Sequence, residues 1–192
     1  GATWTFFKGR SEPPSNWKDV DFIPTFWEKG PAGIGYGDGD DETVLDDMRG
    51  SDGYLSLYTR HTFDLEDPAN LENVRLRISY DDGFVAYLNG QEFARANVAG
   101  NPPAFDDSAQ GAAGNVDNSN PNEFNVDDFR SLMREGKNVL AVQVHNQNRT
   151  SSDLSFSPAF YHAPSPGFQT IRGLDELQEL VHAQGVYSGR QL

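Results

Sequence analysis

The chain has 192 residues and a net charge of −14, from 29 acidic and 15 basic residues, so its surface is expected to repel nucleic acid and anionic membranes. It contains no cysteine, which excludes disulfides, thiolate metal sites and cysteine catalysis. No apolar run approaches the roughly 18 residues that a membrane-spanning helix needs, whereas 19 glycines and 11 prolines suit many short strands joined by turns.

The first predicted elements are rich in aromatic residues. A short run at residues 4–7 predicts a strand, and an irregular segment interrupted by prolines follows it. Trp17 and Trp27 lie in that segment, and their flat rings are candidates for stacking on the apolar face of a sugar ring. The alternative is that these rings cover one end of a hydrophobic core, where large aromatic side chains usually lie.

A run of alternating glycines and carboxylates follows at residues 33–43, with the sequence GIGYGDGDDET. Glycines let the backbone turn tightly, and calcium prefers about six to eight oxygen ligands drawn from carboxylates, carbonyls and water. The candidate calcium ligands are Asp38, Asp40, Asp41, Glu42 and Thr43. The spacing is not that of an EF-hand loop, and a solvated acidic turn without a metal is the alternative.

The centre of the sequence predicts strands joined by tight turns. Residues 54–65 read as one long strand, and apolar and polar residues alternate over 74–80 as in a half-buried strand. The turns Asp81-Asp82-Gly83 and Asn89-Gly90 bound a further apolar run, and Asn-Gly is the strongest short signal for a hairpin. The sequence therefore predicts three successive strands and two tight turns between residues 74 and 95.

The later elements follow a long segment without periodicity. Residues 97–122 are rich in Gly, Pro, Asn and Asp, which is typical of a functional loop or a connector. A short helix is predicted near residues 127–134, then a buried strand at 139–146 and a last strand at 154–161. Asn148-Arg149-Thr150 is a glycosylation sequon in a predicted turn.

Several of these stretches resemble one known family. The sequence YDDGFVAYLNGQEFAR at residues 80–95 resembles the central hairpin of galactose-binding-domain-like jelly rolls, which occur in secreted bacterial proteins. GKNVLAVQVHN at 136–146 resembles the late core strand of that family, and the stretches at 33–45 and 151–156 resemble its flanking loops. The resemblance implies an all-β, antiparallel jelly-roll sandwich with short connecting helices, frequent structural calcium and an extracellular or cell-surface location.

The sequence lacks the common catalytic motifs. It has no Gly-x-Ser-x-Gly elbow, no His-Glu-x-x-His metal motif and no phosphate-binding glycine loop before a helix. Every pair of carboxylates falls in a predicted turn, where solvation is the usual state. We therefore expect the chain not to be an enzyme.

Polar residues at predicted strand ends are the remaining ligand candidates. They are Arg95, His145, Asn146 and Asp153. Neighbouring strand ends can meet in a jelly roll, so Asp153 either caps a loop or reaches a site formed by the other three residues.

The composition changes near residue 161, which predicts a jelly-roll domain at residues 1–161 and a separate C-terminal region at 162–192. Prolines and a glycine mark a linker, and Leu174, Leu177, Leu180 and Val181 then recur at helical spacing. This amphipathic helix is expected to dock on the sandwich, to dock on another copy of the protein or to begin a further domain.

Two functions fit these expectations. The first is an extracellular accessory module that binds a glycan or polysaccharide and is stabilised by calcium. The alternative is a structural subunit or spacer in an extracellular assembly, which contacts protein, including further copies of itself, and binds no glycan.

Overall fold

The computed structural model describes residues 2–113 and 119–162, which form two packed β-sheets. The strands are β1 (Thr3–Lys8), β2 (Glu28–Pro31), β3 (Ile34–Tyr36), β4 (Thr43–Val44), β5 (Ser56–Leu65), β6 (Val74–Tyr80), β7 (Gly83–Leu88), β8 (Gln91–Ala96), β9 (Asn122–Asn125), β10 (Gly136–His145) and β11 (Leu154–His162). One sheet has the order β2-β1-β5-β10-β7-β8, and the other has the order β4-β3-β11-β6-β9. The predicted all-β sandwich is confirmed, with a single parallel pair, β3–β4, among the described strands.

The connections contain two short 3₁₀ helices, Pro68–Asn70 and Asp127–Leu132, and the second lies where a short helix was predicted. In this part of the chain, neither helix has the length and apolar character that crossing a membrane requires. The predicted linker and amphipathic helix of the C-terminal region lie outside the described residues.

The main hydrophobic core fills the space between the two sheets. Leu140, Val142 and Val144 of β10 face this core, as alternate residues of a strand do. Trp4 of the six-stranded sheet packs edge-on against Phe156 of the five-stranded sheet, with ring centroids 5.4 Å apart. Burial of these apolar side chains is the main force that holds the sheets together.

The Asn89-Gly90 hairpin joins β7 to β8 as predicted. Both residues have positive φ, 50° and 92°, which is the conformation that Asn-Gly supplies in a tight hairpin turn. The Asn89 carboxamide also reaches across to β10 and the segment before it. Its Oδ1 accepts from the Val139 amide at 2.8 Å, and its Nδ2 donates to the Leu132 carbonyl and to Asn138 Oδ1, each at 2.7 Å.

The three strands predicted between residues 74 and 95 are present as β6, β7 and β8, but the turn at Asp81-Asp82-Gly83 does not pair β6 with β7 in a hairpin. β6 pairs with β11 and β9 in one sheet, whereas β7 pairs with β10 and β8 in the other. The Asp81 amide donates to Ser155 of β11, and the next amide, of Asp82, donates to His145 of β10. The chain therefore changes sheets between these two residues, a long-range pairing that local alternation cannot specify.

The Asp82 side chain secures this crossing. It is 1% exposed, and its carboxylate accepts from the backbone amides of Gln147 at 2.7 Å and Ala113 at 3.3 Å. It thereby ties the crossing to two loops that are distant in sequence. A buried carboxylate of this kind is stable because it is hydrogen-bonded.

The outer face of the six-stranded sheet carries a second hydrophobic cluster. Its buried members are Trp17, Tyr58, Val85, Tyr87, Val98 and Ala141. The loop between β1 and β2 covers this cluster. The Arg60 guanidinium fixes the loop, because it donates to the backbone carbonyls of Trp17, Asp19 and Phe22. Burial lowers the pKa of Arg60 to about 10, still well above neutral pH. The central strands of this sheet are therefore buried on both faces.

Replacing Asp82 with alanine should destabilise the fold strongly. The Asp82→Ala change leaves two backbone amides without their charged acceptor, so we expect the free energy of unfolding to fall by about 2–3 kcal/mol. Urea unfolding measures this loss. Asp64→Ala, at an exposed position of β5, is the control and should change stability by less than about 0.5 kcal/mol; equal losses for both variants would contradict the role of Asp82.

Candidate functional site

Three carboxylates converge in the turn between β3 and β4, residues 37–42, which we call the acidic loop. One carboxylate oxygen from each of Asp38, Asp40 and Asp41 lies within 4.8 Å of the other two. Gly35 makes the arrangement possible, since a Cβ there would lie 1.9 Å from the Leu154 carbonyl oxygen and 2.8 Å from both Asp41 carboxylate oxygens. The loop can therefore fold back on β11 only with glycine at this position.

Of the three carboxylates, that of Asp41 has the least favourable environment for a negative charge. Its Oδ2 atom is buried and has no hydrogen-bond partner among the described residues. Burial, together with the nearby charges of Asp38 and Asp40, raises the pKa of Asp41 to about 7. An orphaned carboxylate oxygen beside two other carboxylates suits a hard cation such as calcium.

The other two predicted calcium ligands lie outside this convergence. Glu42 is exposed and is not part of the group of three carboxylates. The Thr43 hydroxyl donates to the Pro31 carbonyl at 2.8 Å, which fixes β4 against the end of β2. The triad of Asp38, Asp40 and Asp41 is therefore the part of the predicted set that the fold brings together.

Further acidic groups surround the loop. The Ser155 hydroxyl of β11 donates to Asp38 Oδ2 at 3.0 Å. Burial first, then the interaction with Asp82 and the charges of Asp153 and Asp38, raise the pKa of Asp81. Ser155 and Asp81 were not predicted to be neighbours of this loop. Ser155 could have been found from the alternation of β11, which puts it on the outer face beside Gly35.

His145, Asn146 and Asp153 lie close together but serve the fold. Asn146 is 1% exposed, and its Nδ2 donates to the Tyr36 hydroxyl and to the Asp153 carbonyl, each at 3.0 Å. His145 is fully buried, with Nδ1 2.7 Å from the Asp107 carbonyl oxygen. That oxygen can only accept, so Nδ1 carries the proton, and Nε2 is buried without a partner among the described residues.

The remaining ligand candidates lie elsewhere. Arg95 is held by Glu92 at 2.5 and 2.7 Å and donates to the Gly100 carbonyl at 2.7 Å, so it braces the loop after β8. Trp17 is 5% exposed and packs edge-on against Tyr58 and Tyr87, as in the core-covering interpretation. Trp27 stacks beside Trp17 with ring centroids 6.2 Å apart and is partly exposed. It is the tryptophan of this pair whose ring retains access to solvent.

Comparisons with known proteins assign no family. No protein-family model matches the sequence, and no curated protein matches it. Solved structures that match part of this chain include a β-glucuronidase from glycoside hydrolase family 2, with 18% identity, a TM-score of 0.46 and coverage of 76% of this chain and 13% of that chain. Others are Bifidobacterium dentium β-glucuronidase complexed with coumarin-3-O-glucuronide, with 21% identity, a TM-score of 0.46 and coverage of 74% and 19%, and an uncultured Clostridium sp. β-glucuronidase, with 20% identity, a TM-score of 0.46 and coverage of 76% and 21%.

The chain thus spans about a fifth or less of the length of these enzymes. The similarity is too distant to carry over an activity, a ligand or a metal. Any function for this chain has to be argued from its own residues.

The buried imidazole of His145 should make stability depend on pH. Burial lowers the pKa of His145 below its ordinary value, so below about pH 6.5 the unfolded state binds more protons than the folded state. The free energy of unfolding should therefore fall as the pH drops below about 6.5, by up to about 1.4 kcal/mol per pH unit. Urea unfolding between pH 5 and pH 8 measures it.

Asp41 acts in the opposite direction, since its raised pKa makes stability fall as the pH rises from about 4 to about 7. The difference between the wild type and His145→Asn isolates the histidine, because asparagine keeps a donor near the position of Nδ1. His61→Asn is the control and should retain the acid-side loss. If His145→Asn also retains it, the buried neutral imidazole is not its source.

Proposed function

We propose that this chain is a non-catalytic extracellular module that binds carbohydrate and is stabilised by calcium in the acidic loop. The observation that carries the proposal is the convergence of Asp38, Asp40 and Asp41 within 4.8 Å at the surface of the sandwich. Three like charges at this separation destabilise the folded state unless a proton or a cation compensates them.

The chemistry of the loop favours calcium as the compensating ion. Residues 33–45 contain no histidine and no cysteine, the usual ligands of zinc and other transition metals. Asp38, Asp40 and Asp41 would hold the ion, and the orphaned Oδ2 of Asp41 is the atom that gains most from it. A divalent cation relieves the repulsion while all three carboxylates stay ionised.

The exposure of the loop supports a carbohydrate ligand. Three carboxylates supply fewer than the about six to eight oxygens that calcium takes, so a bound ion would offer its other positions to water or to paired sugar hydroxyls. Asp38 and Asp40 are exposed, and the hydroxyl of Ser155 and the side chain of Asp153 border the same surface. The net charge of −14 disfavours polyanionic ligands and favours an uncharged glycan.

Calcium should stabilise the protein measurably. At a calcium concentration 100 times the dissociation constant, the folded state gains about 2.7 kcal/mol, which for a domain of this size raises the thermal midpoint by about 5–10 °C. Differential scanning calorimetry in calcium and in a chelator tests this, with magnesium as the ionic-strength control. Equal midpoints in calcium and in chelator would remove the metal from the proposal.

A matched pair of variants locates the calcium effect. Asp41→Asn removes the most strained carboxylate, so its midpoint in chelator should equal or exceed that of the wild type, while its response to calcium should be lost. Asp106→Asn, at an exposed position in another loop, changes the net charge equally and should respond to calcium as the wild type does.

Glycan binding should depend on the same loop. We expect binding to one or more uncharged polysaccharides in calcium, and Asp40→Asn should weaken it about tenfold or more, whereas Asp106→Asn should leave it unchanged. A glycan array followed by affinity electrophoresis measures both effects. A blank array from a folded, calcium-responsive protein would reject carbohydrate binding and favour the structural-subunit alternative.

A further inference from the structure

Two large apolar side chains project from the loop before β2. Ile23 is 78% exposed and Phe26 is 94% exposed, the highest exposures among the large hydrophobic residues of the described chain. Their neighbours Phe22 and Trp27 instead pack on the second hydrophobic cluster, on the outer face of the six-stranded sheet. The two rings contact each other with centroids 5.6 Å apart. We call residues 22–27 the apolar tip.

The apolar tip is held in place from within. The Thr25 amide donates to the Ile23 carbonyl at 2.9 Å, and the Trp27 amide donates to the Pro24 carbonyl at 3.3 Å. At the base of the tip, buried Arg60 donates to the carbonyl of Phe22 and to that of Asp19. Ile23 and Phe26 are therefore displayed in a fixed arrangement, which lowers the entropic cost of docking on them.

The size of the apolar tip limits what can bind there. Two side chains of this kind offer roughly 350 Å² of contact, whereas a stable interface between separate molecules buries about 800 Å² on each partner. A free partner or a second copy of the protein would need further contacts that the tip does not provide. A segment tethered to the same chain needs fewer, because tethering supplies a high effective concentration.

The chain carries one segment suited to this role. Leu174, Leu177, Leu180 and Val181 recur at helical spacing in the region after β11, and a helix of about ten residues is marginal in water unless its apolar stripe is covered. A fully extended chain from His162 to Leu174 spans about 40 Å, while a domain of about 160 residues has a radius of gyration of about 15 Å. The tether is therefore more than twice as long as the radius of gyration of the domain, enough to bring the segment over much of the domain's surface.

We propose that residues 174–181 dock on Ile23 and Phe26 of the same chain. The tip presents a small apolar surface, and the spacing of Leu174, Leu177, Leu180 and Val181 predicts an apolar stripe on the segment. Docking covers both apolar surfaces at once.

Disulfide trapping in the full-length protein tests this, because the sequence contains no cysteine. Thr25→Cys places a thiol between the two tip side chains, and Gln178→Cys places one beside the leucine stripe. We expect mild oxidation with diamide to give an intramolecular disulfide in most molecules, at a yield that does not change on dilution. The control pair, Ser152→Cys with Gln178→Cys, uses an exposed residue in the loop before β11 of the five-stranded sheet and should give at least fivefold less.

A second change separates docking from chance encounter. Adding Phe26→Ser to the Thr25→Cys, Gln178→Cys protein should lower the intramolecular yield to that of the control pair, and because Phe26 is exposed the change should not affect folding. Yields equal to the control, yields unaffected by Phe26→Ser, or disulfides formed mainly between two molecules would each overturn the proposal.

Discussion

The structure depends on the point where the chain passes from one sheet to the other. The Asp81 amide donates to Ser155 in the five-stranded sheet. The next amide, of Asp82, donates to His145 in the six-stranded sheet. The buried carboxylate of Asp82 then binds the loops that contain Ala113 and Gln147. One dipeptide thus joins the two sheets at the end of the sandwich that also carries the acidic loop.

The second constraint is that the central strands of the six-stranded sheet are covered on both faces. The loop held by Arg60 and the segment around Phe105 and Asp107 cover its outer side. Under that cover His145 Nδ1 donates to the Asp107 carbonyl, since a buried polar atom without a partner is costly. This explains why His145 and Trp17, which the sequence indicates as ligand candidates, are buried and serve packing. The candidate ligand groups that stay accessible are those of the acidic loop.

Local chemistry was enough to predict the longer strands β5, β6, β7, β8, β10 and β11 and the Asn89-Gly90 hairpin, because strand alternation and positive φ are properties of a few adjacent residues. It did not predict the short strands β2, β3 and β4, which lie in segments that the sequence indicates as loops. It was also not enough to predict strand pairing, since β6 finds β11 across a large sequence separation. The acidic triad was visible as a run of carboxylates, but its exclusion of Glu42 and Thr43 depends on how Gly35 lets the loop fold against β11. Alternation also cannot predict burial where both faces of a strand are covered. Ala141 and Gln143 point away from the main core and are still buried.

The side chain of Asn89 also bears on how the protein ages. An asparagine followed by glycine is the pair most prone to spontaneous deamidation, because the unhindered glycine nitrogen can attack the carboxamide carbon and close a succinimide. This is the one Asn-Gly pair in the sequence. Its carboxamide is fixed by the Val139 amide, the Leu132 carbonyl and Asn138, so it can swing into the geometry for attack only by breaking three hydrogen bonds. The contacts that set the register of the hairpin therefore also protect it from the slow chemistry that its own sequence invites.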